Sequence, residues 1–461
     1  MRVLRPLRFA TAGLVGTLAM ALASPGTGLA SRVTVHPVPT VGGQVLAELL
    51  TPPTTADCRA TRGIACYQPF QVQKAYDLAP LFDRGIDGRG RTIVIVDAFG
   101  SPTIADDLRT FDQTFGLPDP PSFHVIQPAG AVPPFPADPF GISDRLSWAG
   151  ETTLDVEWAH VMAPGASILL VETPVSEVEG VQGFPEIVQA ENFVIDHGLG
   201  DVISQSFGAT EQTFPDAGAI RDLRGAFVNA ARRHVSVLAS SGDQGAAALR
   251  ADTSCCFPFP AVIWPSSDPL VTSTGGTQLN LDDAGARLSP DIVWNGGGGG
   301  VSSVFGRPVF QHQVRDVVGA HRGMPDISLS SAVNGAVITF GSYPNPRAAD
   351  PTAPNPRFRL VAGTSEASPL FAGVVALADQ AAGRRLGFLN GRLYRMGRQP
   401  ASGIVDVTIG NNTFRFGTTT ITGFTAVAGY DLASGWGTVD AARFVTQLAQ
   451  SEDEDDQGED D

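Results

Sequence analysis

The sequence predicts an α/β protein: a parallel sheet with helices on both faces. Three observations carry the general class. Apolar runs too short for helices recur along the chain, at Thr92–Val96, Ser167–Val171, Val202–Phe207, Val235–Ser240 and Leu270–Thr274. Helical segments alternate with them, a pattern that parallel sheets require. Reactive side chains, among them Asp97, Ser206 and Asp243, fall at or just past the ends of these runs. Ligand sites in such sheets open there.

The elements follow in order. Arg2, Arg5 and Arg8 precede the apolar stretch Phe9–Ala23, which is short for a membrane span; cleavage fits after Ala23 or Ala30. Residues 1–30 are therefore expected to be a secretory signal and the rest secreted, with no membrane attachment after its removal. Residues 31–57 are rich in Pro, Thr and Val and are expected to form an extended leader, with structure starting near Cys58. A short helix is expected over Phe70–Tyr76. The run Thr92–Val96 ends at Asp97-Ala98-Phe99-Gly100 and is followed by a helix from Pro102 to about Phe115. Further helices are expected at Leu146–Met162, Phe184–His197 and Ala217–Arg233. The run Leu270–Thr274 is placed before Gly275-Gly276, and Gly296–Gly300 marks a mobile or closely packed loop.

The chain has 461 residues and is 43% hydrophobic, ample for a large core. Its net charge of −16 argues against nucleic acid as a partner. Half of that excess lies in Ser451–Asp461, eight acids without a base, expected to be a disordered tail over 450–461. Four cysteines in an exported chain suggest disulfides. Three pairings are open. Proximity favours Cys58–Cys66, and a bridge between the neighbours Cys255 and Cys256 is expected to be strained. The absence of a CxxC pair argues against a zinc or redox site.

Gly363-Thr364-Ser365-Glu366-Ala367-Ser368-Pro369 leads into the apolar run Leu370–Leu377. Small residues deliver Ser365 to the mouth of a buried helix, where unpaired N–H groups and the helix dipole suit a developing oxyanion. Pro369 is expected in the first turn, where its missing N–H matters least. Taken alone, the same residues are also an ordinary helix start. A nucleophilic serine needs a base. None of the seven histidines lies in a comparable motif, and His160 and His197, on expected helices, are assigned local polar partners. Carboxylates serve better. Glu151 and Asp155, four apart on an expected helix, share a face next to the apolar Leu154, Trp158, Val161 and Met162. Asp243, in Ser240-Ser241-Gly242-Asp243, follows an apolar strand. Separately these are also consistent with an exposed acidic face and a turn.

Together, Glu-xxx-Asp, Ser-Ser-Gly-Asp and Gly-Thr-Ser-xxx-Pro resemble the sedolisins, the serine-carboxyl peptidases. The resemblance runs from about Tyr67 to Val445 and includes Ser204–Gly208, Trp264–Ser267, Met324–Ser328 and Gly387–Asn390. It implies a subtilisin-like fold over 58–449 and an endopeptidase working at acidic pH through an acyl-enzyme. Ser365 would be the nucleophile and Glu151 its base. Asp155 would hold Glu151, and Asp243 would line the oxyanion hole with the Ser365 N–H. It also implies one Ca²⁺ in a C-terminal loop region, held by the side chains of Asp406 and Asp431 and the carbonyls of Val407, Val427 and Gly429. Ala362 and Val427 stand where glycine is common in that family. The long folded pro-domain typical of sedolisins is expected to be missing, because only residues 31–57 lie between the signal and the first motifs. The expected enzyme is a monomer acting on protein or peptide substrates. Competing readings are a His-dependent subtilase, a tripeptidyl-type exopeptidase and a non-catalytic binding module on the same scaffold.

Overall fold

The computed structural model describes residues 44–135, 144–177, 183–250, 254–345, 350 and 352–451. The signal (1–30), the start of the leader and residues 452–461 of the acidic tail lie outside them. The described chain begins earlier than Cys58, with β1 (Gln44–Leu49). α1 (Thr55–Arg62) follows, capped at Thr54 by a reciprocal box with Asp57. A disulfide joins Cys58 of α1 to Cys66 of β2 (Cys66–Tyr67), the favoured pairing. The neighbours Cys255 and Cys256 are joined as well.

The layered part comes next: β3 (Thr92–Ala98), α2 (Ile104–Phe115), β4 (Phe123–Ile126), α3 (Asp144–Met162), β5 (Ser167–Thr173), α4 (Phe184–Asp196), β6 (Val202–Gln205), α5 (Gly225–Arg232), β7 (Ser236–Ser240) and β8 (Thr272–Gln278). β9 (Ile292–Val293) and β10 (Ile327–Ser330) complete this sheet. Its order is β9-β8-β7-β6-β3-β5-β4, with β10 also paired to β8. All pairings are parallel except β8 with β9. A second sheet contains β1, β2 and the antiparallel pair β11 (Ala336–Gly341) and β12 (Arg357–Ala362). β1 pairs with β12 from Gln44↔Ala362 to Leu49↔Phe358. The end of the expected leader is thus part of a sheet, and β12 leads directly into α6 (Thr364–Ala382).

Period-two alternation sorts the two cores. Ile93, Ile95, Ile168, Leu170, Val202 and Leu238 face one side, packed with α3 and α6. Val94, Val96, Leu169, Val171, Ile203 and Val237 face the other, packed with α4 and α5. Both faces are covered, as the apolar runs predict.

Two further elements depart from expectation. The helix expected over Ala217–Arg233 is two, Ala217–Asp222 and α5, separated at Leu223-Arg224 ahead of Gly225, a poor helix former. β8 runs through Gly275 and Gly276 instead of stopping before them. A Cβ at Gly275 would stand 2.6 Å from Pro325 and one at Gly276 2.8 Å from the Trp294 ring, so the glycines let neighbouring chain press onto the strand. The C-terminal part holds a hairpin, β13 (Phe414–Phe416) and β14 (Thr419–Ile421), and closes with α7 (Ala441–Gln450).

Candidate active site

Gly363 opens α6 with φ +145°, a region that favours glycine, and a Cβ there would lie 2.6 Å from Asp243 Oδ2. Only glycine lets the serine turn and the Asp243 loop meet. Asp243 follows β7, part-buried, and its Oδ1 accepts the Thr364 N–H at 2.7 Å and the Thr364 hydroxyl at 2.9 Å. The Thr364 hydroxyl oxygen in turn accepts the Gly242 N–H at 3.0 Å. Burial pushes the Asp243 carboxyl up to about 7, against the opposing pull of the two Thr364 donors. Below that pH it carries a proton it can donate.

Pro369 lies inside the helix, in its second turn, not in the first as expected. The difference has a structural consequence. A proline has no N–H for the carbonyl four residues back, here that of Ser365. That carbonyl instead accepts the Ser206 hydroxyl at 3.3 Å, and the same hydroxyl lies 2.9 Å from Asp155 Oδ1. Ser206 sits just past β6, so the end of a sheet strand ties the serine turn to the carboxylate helix. A second tie, Ser204 Oγ to Ser368 Oγ at 2.8 Å, anchors the same turn.

Helices α3 and α6 pack directly on one another. Gly373 makes this possible: a Cβ there would stand 3.2 Å from the Ala159 carbonyl and would run into Met162. Going back eight residues on each helix leads from Gly373 to Ser365 and from Ala159 to Glu151. The Ser206 bridge, from Asp155 on one helix to the Ser365 carbonyl on the other, lies before the Gly373 contact on both, so the two helices run the same way. Glu151 is 3% exposed, and Asp155 and Ser365 are fully buried. The Ser365 hydroxyl makes no hydrogen bond among the described residues, so its contact with Glu151 is not formed in this arrangement. Such contacts often tighten only with substrate bound.

Asp155 is held well above the usual carboxylate range, first by burial, then by the charges of Asp97 and Glu151; Ser206 works in the other direction. Asp97, at the end of β3, is raised mainly by burial as well. Three acids therefore share one buried region and cannot all be ionised together. The sequence marks Asp97 and Ser206 only as residues at strand ends. Their link to Asp155 is visible in the fold alone.

His160 and His197 have local partners, as expected: His160 Nε2 lies 2.7 Å from the Pro118 carbonyl and His197 Nδ1 2.8 Å from the Phe193 carbonyl. Burial lowers His160 to about 4, leaving it neutral near pH 7, at the far end of α3 from Glu151.

The five residues expected to hold calcium meet in one loop cluster. The Gly429 N–H reaches Asp406 Oδ2 at 2.8 Å, and the Val427 N–H reaches Asp431 Oδ2 at 2.9 Å. Asp431 Oδ1 accepts the N–H groups of Ala433 and Ser434, and the Ser434 hydroxyl lies 3.4 Å from the Val407 carbonyl. Among the described residues, no group of three or more His, Cys, Asp or Glu side chains is placed to hold a metal ion. The donors are hard oxygens, two carboxylates and three carbonyls, which fit Ca²⁺ in kind.

A parallel sheet whose strand ends converge on a serine at the mouth of a buried helix defines the subtilisin-like class. Residues 148–390, more than half of the chain, match the subtilase family. Kumamolisin of Bacillus sp. (strain MN-32) is 30% identical over 360 residues, 75% of this chain and 57% of that protein. Sedolisin of Pseudomonas sp. (strain 101) is 27% identical over 431 residues, covering 91% of this chain and 66% of that protein. Tripeptidyl-peptidase sed4 of Aspergillus fumigatus is 29% identical over 72% of this chain and 59% of that protein. The structure of Pseudomonas sedolisin, a serine-carboxyl proteinase complexed with pseudo-iodotyrostatin, superposes with a TM-score of 0.67 at 26% identity; it covers 84% of this chain and 98% of that one. The chain belongs to the sedolisin family, with a subtilisin-like fold. It spans 57% to 66% of the length of the three relatives named.

Proposed function

We propose that the protein is a secreted serine-carboxyl endopeptidase that hydrolyses peptide bonds at acidic pH. The observation that carries this reading is the double tie on the serine turn: Thr364 to Asp243 on one side, Ser365 through Ser206 to Asp155 on the other. In this reading Glu151, as carboxylate, takes the Ser365 hydroxyl proton while Oγ bonds to the scissile carbonyl carbon. Protonated Asp243 and the Ser365 N–H donate to the oxygen that gains charge. Glu151 then gives its proton to the leaving amine as the C–N bond breaks. Water repeats the sequence on the acyl-enzyme. Asp155 holds Glu151 in place. A free Glu has a pKa of about 4.3, so a glutamate base and a protonated aspartic donor coexist only on the acid side.

Calcium belongs to the same proposal. Asp406 and Asp431 with the carbonyls of Val407, Val427 and Gly429 would hold one ion, which would tie the C-terminal loops together.

The test is cleavage of a denatured protein and of amino-blocked peptides from pH 3 to 8, alongside Ser365→Ala and Glu151→Gln. Internal cuts at acid pH that both variants lose are expected. Full activity of Glu151→Gln would favour a histidine base, and folded wild type without cleavage or Ser365 labelling would favour a binding module. The tripeptidyl-peptidase among the relatives favours a second reading, which release of tripeptides from free amino ends alone would support.

A further inference from the structure

An open groove of about 760 Å³ leads away from Asp243. Its walls include Gln278, Trp294, Asn295 and Asn411, all uncharged, and among the described residues it carries a single base, Arg415. Arg415 stands on β13, and the hairpin's place is fixed from below. Phe414 packs with Ala246, Ala247 and Ile421, while the Ala246 N–H donates to the Asn412 carbonyl at 2.8 Å. The segment just after Asp243 therefore carries the hairpin that presents Arg415. Arg415 has no ion-pair partner among the described residues. Asp243, the one acid among the described residues of the groove wall, has an oxygen committed to both Thr364 donors. The nearby Asp291 is committed to Arg287.

From this geometry we infer that the groove is a specificity subsite for a carboxylate on the peptide substrate, recognised by Arg415. The inference rests on the peptidase reading and deepens it. A chain reaching Ser365 passes Asp243, so a residue flanking the scissile bond enters the groove. There a guanidinium offers a charge-assisted hydrogen bond, and Asp243, the acid on the wall, is held by Thr364.

The carboxylate can come from an Asp or Glu side chain or from a free C-terminus. Terminally blocked peptides with Glu, Gln or Lys at each position around the cut, plus a neutral peptide with a free C-terminus, separate the two. Wild type is expected to show a kcat/KM about tenfold higher for the carboxylate-bearing peptide than for its neutral twin at one position. That ratio should rise between pH 3.5 and 5.5 as the substrate carboxylate ionises. R415Q should bring the ratio to about one, and R415E should turn the preference towards Lys, each with an unchanged thermal midpoint. The same ratio in wild type and R415Q at every position, with side-chain and terminal carboxylates alike, overturns the subsite. Wild type that cleaves neither twin overturns the peptidase reading itself, and this inference with it.

Discussion

Thr364 gives both its N–H and its hydroxyl to one oxygen of Asp243, at 2.7 and 2.9 Å, and leaves the other oxygen beside Gly363. Both donors favour the charged carboxylate and so hold its pKa below what burial alone would produce. Thr364→Val removes the hydroxyl and keeps the N–H. The carboxyl should then stay protonated to higher pH, and the alkaline limb of kcat/KM should move up from near pH 7. The lost anchor should lower the maximum by about tenfold, the order of one charge-assisted hydrogen bond. A limb that moves down would show that Asp243 is not the donor.

Ser206 takes up the carbonyl that Pro369 leaves without its usual helix partner, and it also contacts Asp155. Ser206→Ala should destabilise the fold by about 1 kcal/mol through the lost hydrogen bonds. It should also raise Asp155 further, because the hydroxyl supports its ionised form. A fall in kcat with KM little changed is expected. Pro369→Ala in the same background restores an N–H to the carbonyl but not to Asp155, so it should recover stability and not kcat.

Glu191 on α4 is 1% exposed, its oxygens have no hydrogen-bond partner among the described residues, and burial raises it from 4.5 to about 8. In the unfolded chain it loses its proton near pH 4.5; in the fold it keeps it to about 8. The unfolded state thus binds fewer protons between these values, and stability falls as pH rises across that window. Asp155 and Glu366, also raised by burial, act with the same sign. The thermal midpoint should decline from pH 4.5 to 8. Glu191→Gln, which cannot ionise, should flatten that decline; a midpoint independent of pH in wild type would count against these buried acids.

Asp431 binds four donors of its own loop and is 2% exposed. With calcium in this cluster, a chelator should lower the thermal midpoint and excess Ca²⁺ should restore it through binding to the native state. Asp406→Asn should weaken calcium binding in calorimetry, with less effect on the calcium-free midpoint than Asp431→Ala, because Asp406 accepts one N–H and lies exposed. No heat of binding in wild type would remove calcium from the account.

Period alone determines much of this protein. Short apolar runs bounded by helical segments specify parallel strands because both faces must be buried, and β3, β5, β6 and β7 lie where those runs fall. The serine turn, the Glu151–Asp155 pair and Asp243 are legible too, because each is a local motif with its own spacing. The tertiary structure alone decided the rest. β1, the β11–β12 pair and the Gly275-Gly276 stretch of β8 have no local signal, since their partners are distant in sequence. The Ser206 bridge joins residues 51 and 159 positions apart, and Pro369 acquires its role only once α6 starts at Thr364. Periodicity reports which face of an element is buried. Which hydroxyl meets which carboxylate depends on packing two helices and a strand end to within a hydrogen bond, and no single segment contains that distance.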